Sequence, residues 1–136
     1  MRTIRLTAAL GVFIAFGFAT SVLGADWDAN AFKEAETIDL RTIGAEEGEY
    51  WFPVWVVVID DQVFVRLGSR AAERIRANQT GAEIAIRVND RLFDKVQTQD
   101  AADYVDRVAD AMAEKYWSDI FVRYFSHPMT LRLSAS

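Results

Sequence analysis

Apolar positions along this chain change period several times, and each change predicts an element. Thr37-Ile38-Asp39-Leu40-Arg41-Thr42-Ile43 alternates with period two and reads as a strand. Before it, Ala29, Phe32 and Ala35 fall at helical spacing, with Asp28 placed as N-cap and Trp27 placed to staple back onto Phe32. Gly44 to Glu49 is a solvated turn whose three acids fit no calcium motif. Tyr50 to Ile59 carries the strongest strand signal in the chain and reads as one strand. Its second half, Trp55-Val56-Val57-Val58-Ile59, is apolar on both faces. Such a strand must be covered on both sides, by a barrel interior and by a helix or a second subunit. Pro53 cannot donate a ladder hydrogen bond, which places it at an edge or a bulge. Asp60-Asp61-Gln62 makes a tight turn, and Val63-Phe64-Val65-Arg66-Leu67 returns as the hairpin partner.

The second half of the chain repeats this grammar. Ser69 is the natural N-cap of a short helix from Arg70 to about Asn78, which Gly81 ends. A hairpin follows, with Ile84, Ile86 and Val88 on one side, a turn at Asn89-Asp90, and a return from Leu92 to Thr98. Asp100 is placed to cap the longest helix, residues 101–118, where Tyr104, Val105, Val108, Met112 and Lys115 or Tyr116 trace one stripe. Asp103 and Arg107 lie four apart on it, a stabilising pair. Two closing strands, Ile120 to Phe125 and Met129 to Leu133, flank Ser126-His127-Pro128. There is no repeat, linker or low-complexity segment, so residues 25–136 form one domain.

Composition narrows the chemistry. The 136 residues contain no Cys and a single His, which excludes disulfides, thiolate metal sites, iron–sulfur clusters and thiol nucleophiles. Half of the residues are hydrophobic, enough for a packed core. A net charge of −5 argues against a nucleic-acid surface. Chemistry in such a chain must come from a bound ligand.

The N-terminus is a separate problem. Arg2 and Arg5, an apolar run from Ala8 to Ala19, and the small residues of Val22-Leu23-Gly24-Ala25 make the three-part build of a secretory signal over residues 1–24. An uncleaved membrane anchor is the alternative, since the uncharged stretch approaches a short span. Cleavage would leave a periplasmic or secreted chain with 13 basic and 20 acidic residues, net −7, and no membrane attachment. No adjacent Arg pair precedes the run, which points to export in the unfolded state.

Trp55-Val56-Val57-Val58-Ile59-Asp60-Asp61-Gln62-Val63-Phe64-Val65-Arg66, then Gly68-Ser69-Arg70 and a short helix, resembles the flavin-binding split-barrel superfamily. That superfamily includes the pyridoxamine-phosphate-oxidase-like and deazaflavin-dependent nitroreductase-like proteins. The likeness spans roughly residues 27–135 and is greatest to a branch without an assigned role, in which Lys-Tyr, here Lys115-Tyr116, ends the long helix. It implies an α+β, mainly β fold: a six- to seven-stranded antiparallel split barrel with one long and two short helices. It also implies a homodimer with the crevice at its seam, and FMN or a deazaflavin as cofactor.

In the pyridoxamine-phosphate-oxidase-like pattern a Ser-Arg-Lys run grips the flavin phosphate. Ser69 and Arg70 match it here, but Ala71 stands at the lysine position. The resemblance thus nominates Trp55, Arg66, Ser69 and Arg70 as cofactor-binding residues, with Arg66 supplying the lost cation if it turns toward the helix start. The physical basis is a helix N-terminus, which offers free N–H groups and partial positive charge to an anion. The competing reading makes Arg66, Arg70, Arg74 and Arg76 an ordinary solvated face paired with Glu73, Glu83 or Asp residues, and Trp55 a core residue. Lys115 and Tyr116 pack and snorkel at a helix end or, alternatively, line a pocket. His127 is a surface residue or, if the chain bound haem, an axial ligand. Two functions remain: an exported flavin-type protein with oxidoreductase activity on a small molecule, or a non-catalytic module for haem or a small anionic or aromatic ligand.

Overall fold

In a computed structural model of the chain, residues 27–116 and 129–135 are described. The elements run α1 (Ala29–Lys33), β1 (Ile38–Gly44), β2 (Gly48–Val54), β3 (Val56–Ile59), β4 (Gln62–Leu67), α2 (Ser69–Arg76), β5 (Glu83–Val88) and β6 (Arg91–Asp100). A 3-10 turn (Ala102–Tyr104), α3 (Val105–Lys115) and β7 (Met129–Ala135) complete them. The seven strands form one antiparallel sheet in the order β2-β1-β5-β6-β7-β4-β3. The expected strand over Ile120 to Phe125, the signal sequence and His127 lie outside the described residues. No helix among the described residues is long and apolar enough to cross a membrane.

The expected single strand from Tyr50 to Ile59 is instead two strands, and the difference explains the fold. β2 pairs with β1 and β3 with β4, so consecutive strands occupy opposite edges of the sheet. Laid flat, seven strands would hold those edges about 29 Å apart, six spacings of about 4.8 Å. Val54 and Val56 are joined through Trp55 alone, a reach of about 7 Å. The sheet must therefore roll until its edges meet. They meet through the covalent chain, and no ladder joins β2 to β3, which makes the barrel split. Pro53 lies on the outermost strand, where its missing donor costs no ladder bond.

Alternation fills the two sides of the rolled sheet. Val56, Val63, Val65, Leu67, Ile38, Leu40, Ile84, Ile86, Leu131 and Leu133 face the interior, and α1 adds Phe32 to them. Asp28 caps α1 by accepting from the Asn30 N–H at 3.0 Å, and Trp27 packs on Phe32 with ring centroids 4.8 Å apart, as the sequence implies. Outside the barrel, Val57 and Phe64 pack under Val108, Met112 and Tyr116. The two-sided strand is therefore covered by the barrel interior and by α3, with no second subunit needed for its outer face.

Three local expectations are corrected. The helix predicted over 101–118 is a 3-10 turn followed by an α-helix beginning at Val105, and Asp100 remains in β6 rather than capping it. With this late start Val105 stands in the first turn, where it is exposed, while Val108 and Met112 further along are buried. Asp103 consequently lies outside the α-helical turn that would set it opposite Arg107; Arg107 bonds Asp60 at 3.0 Å instead. Asp60 and Asp61 both take positive φ (53° and 59°), the signature of a type I′ turn. The third correction concerns the start of α2. Gly68, at φ −75° and ψ 179°, is its N-cap, no side chain closes the cap, and Ser69 is already the first helical residue.

One contact holds the edge at the split. Ile59 and Gln62 flank the two-residue turn, which makes them a hydrogen-bonded pair; by alternation the N–H and C=O of Val56 point away from β4. β3 is an edge strand, so no strand among the described residues meets them. The Val56 N–H donates to the Tyr116 hydroxyl at 3.1 Å, and Lys115 Nζ donates to the Val56 carbonyl at 2.7 Å. The hydroxyl proton has two carbonyl acceptors, Glu36 at 2.7 Å and Val56 at 3.1 Å. Burial holds the Tyr116 phenol above its ordinary value, against the lowering by its Val56 bond. Burial also pushes the Lys115 ammonium below its own, against the Glu36 carboxylate.

Tyr116→Phe should strand the Val56 N–H and lower stability by about 1–3 kcal/mol in urea denaturation. The pH dependence follows from the directions. A raised phenol contributes stability that is present below about pH 10 and lost as pH rises through its folded value. A lowered ammonium costs stability at lower pH, and that cost is relieved as pH rises toward about 10.4. The deficit of Tyr116→Phe relative to the unmodified chain should therefore shrink above about pH 10. A constant deficit would remove this account of the latch.

Candidate functional site

Rolling the sheet brings the end of β2, Trp55, the end of β4 and the start of α2 to one place. Between them is a groove of about 370 Å³ lined by Thr37, Pro53, Val54, Trp55, Arg66, Leu67, Gly68 and Ala71. Trp55 is half-buried and stacks on Tyr116, with ring centroids 4.5 Å apart and planes 8° from parallel. Arg66 follows the alternation of β4: Val63, Val65 and Leu67 point into the barrel, so Arg66 leaves the sheet on the opposite side.

The α2 start gives this groove its polar end. Its first intrahelical hydrogen bond runs from the Ala72 N–H to the Gly68 carbonyl at 2.9 Å, so the N–H groups of Ser69, Arg70 and Ala71 precede the ladder. No side chain closes this cap, and the N-terminal end of the helix carries partial positive charge. The groove thus combines an indole, a guanidinium and a helix N-terminus. That set suits a planar aromatic molecule carrying an anionic group.

Of the four residues nominated from the sequence, the structure brings Trp55 and Arg66 together. Ser69 is exposed and lines neither groove. Arg70 points to the other side of α2, into a second groove of about 450 Å³ with Thr42, Glu46, Glu47, Glu73 and Arg74. There Arg74 grips Glu47 through two hydrogen bonds, at 3.0 and 3.2 Å, and lies 4.1 Å from the Tyr50 ring centre. The Arg74 bond holds the Glu47 carboxyl below its ordinary range. The solvated-face reading therefore describes Arg74, with Glu47 as partner rather than Glu73 or Glu83.

Asn78 fixes the far end of α2. Its side-chain carbonyl accepts from the Ile43 N–H at 2.8 Å, and its amide donates to Thr80 Oγ1 and to the carbonyls of Gly81 and Glu83, each at 2.9 Å. This buried asparagine ties the helix to β1 and so holds α2 between the two grooves.

Sequence reasoning missed the part played by Lys115 and Tyr116. Both read as residues that pack at a helix end or line a pocket, whereas they hold the residue that follows Trp55. The one signal along the chain was their place at the end of the amphipathic helix; the partner lies 60 residues away. Among the described residues no group of three His, Asp or Glu side chains could hold a metal ion.

No known family matches the chain, and no curated protein is significantly similar to it. Solved structures are similar. An F420-H2 dependent reductase superimposes with a TM-score of 0.55 at 10% identity, covering 73% of this chain and 94% of its own. The haem storage protein HutZ from Vibrio cholerae gives 0.57 at 17% identity, over 79% of this chain and 86% of its own. A protein described as a domain-swapped dimer gives 0.54 at 10% identity, over 72% and 78%. At these identities the likeness is one of architecture. The chain has the fold of the flavin-binding split-barrel proteins.

Proposed function

We propose that the chain is an exported split-barrel protein that binds FMN or a deazaflavin in the Trp55–Arg66 groove and has oxidoreductase activity on a small molecule. The observation that carries this reading is the convergence of an indole, a guanidinium and an uncapped helix start at the split. The residues present fit the group. Arg66 and the Ala71 N–H at the start of α2 would hold its phosphate, and Trp55 would pack against its ring. Such a cofactor supplies the redox chemistry itself, and the protein binds, orients and shields it. A groove whose described lining holds no His, Asp or Glu is compatible with that division of labour. A similar fold in an F420-H2 dependent reductase adds support.

Haem fits less well. Among the described residues the groove lining contains no His, Cys, Met or Tyr to serve as an axial ligand, although one similar structure is a haem storage protein. A second reading, a non-catalytic module for a small anionic or aromatic ligand, draws support from the cradle itself. Arg70 lines the other groove and Ala71 replaces the lysine, which leaves Arg66 as the one guanidinium in the lining among the described residues.

The test is calorimetry with FMN and with a deazaflavin. Arg66→Ala should weaken binding about tenfold to a hundredfold, the range for loss of a charge-assisted contact. Arg70→Ala should change it by less than about threefold. Equal affinities for Arg66→Ala and the unmodified protein would place the phosphate elsewhere. No binding of either compound would favour the non-catalytic module.

We also propose a homodimer, supported by the domain-swapped dimer among the similar structures. Light scattering at micromolar concentration should give twice the chain mass, and a monomer mass would end this proposal. Export rests on the N-terminal pattern, and the exported protein should begin near Ala25.

A further inference from the structure

We infer that Tyr116 is a positioning residue for the groove: its ring sets the plane of Trp55 and so makes the indole a flat wall for an aromatic ligand. This rests on the reading of the groove as the site of a planar ligand and adds a residue that is not part of the groove lining. Trp55 belongs to neither flanking strand, so no ladder register fixes its side chain. What it meets instead is Tyr116, nearly parallel at 8° with centroids 4.5 Å apart. Tyr116 is itself anchored. Its residue is only 6% exposed, its hydroxyl reaches Val56 and Glu36, and Lys115 Nζ lies 5.2 Å from the same ring while holding the Val56 carbonyl.

The two parts of Tyr116 therefore have separable tasks. The hydroxyl ties the split, which is a matter of stability. The ring backs the indole, which is a matter of ligand affinity. Stacked aromatic pairs add a modest, orientation-dependent attraction, enough to bias a side chain that is otherwise free to turn.

The experiment measures FMN affinity by calorimetry and urea stability on the full chain for Tyr116→Leu, Tyr116→Met, Tyr116→Phe, Trp55→Leu and the double variant Trp55→Leu with Tyr116→Leu. Leucine or methionine at 116 should weaken FMN about three- to tenfold. Phenylalanine should keep affinity within about twofold while still losing stability. In the Trp55→Leu background, Tyr116→Leu should weaken binding no further, because the ring then has nothing to orient. Methionine is the second variant should the leucine chain fail to fold. An unmodified chain that binds FMN while Tyr116→Leu or Tyr116→Met binds equally well overturns the inference and leaves the groove reading standing. The inference is overturned in the same way if Tyr116→Leu weakens binding as much without Trp55 as with it. An unmodified chain that binds neither FMN nor a deazaflavin overturns both.

Discussion

The closure of this barrel depends on a backbone break that side chains must satisfy. Where β2 ends and β3 begins, the chain passes from one edge of the sheet to the other through one residue. The edge groups of Val56 cannot pair with β2, and a buried N–H or C=O left without a partner costs as much as a lost hydrogen bond or more. The end of α3 supplies the partners, a phenol for the N–H and an ammonium for the C=O. Because both partners come from adjacent residues at one helix terminus, closure of the barrel and docking of α3 are one event. The contacts of α3 with Val57 and Phe64, and the ion pair of Arg107 with Asp60, hold that helix along the same hairpin.

The candidate site follows from this closure. The indole of Trp55 stands at the break, and Arg66 and the start of α2 stand at the end of β4, the strand beside β3. The β3–β4 pairing sets these beside one another, and the rolled sheet adds Pro53 and Val54 from the far edge. The groove is thus the outer face of the split itself, and its lining of few charges over many apolar positions is what an aromatic ligand with one anionic end requires.

α2 divides the surrounding charge. Arg66 precedes the helix and serves the groove at the split, whereas Arg70 and Arg74, one turn apart, turn toward the acidic β1–β2 turn. On that far side Arg74 is neutralised by Glu47 and pinned on Tyr50. Exposed pairs of this kind contribute little to stability. Their effect is to orient the helix, together with the buried Asn78 that stitches it to β1.

What the sequence determined by itself was local. Period-two alternation located the strands, Asp28 and Trp27 marked the first helix, and Trp55 to Ile59 announced a strand covered on both sides, because each depends on neighbours within a few residues. The order of elements, through its resemblance to the split barrels, also anticipated the fold. Tertiary structure decided the rest. Nothing between Tyr50 and Ile59 marks a break at Trp55, since both halves carry strand-forming residues and only the rolled sheet forces them onto opposite edges. Serine is a better cap than glycine by propensity, yet the exit of the chain from β4 gives Gly68 the extended conformation at the cap and moves Ser69 into the helix. The same exit turns Arg70 away from Arg66 although they are four residues apart. The partnership of Tyr116 with Val56 joins residues 60 positions distant, and a contact of that span is set by where the helix docks rather than by any pattern along the chain.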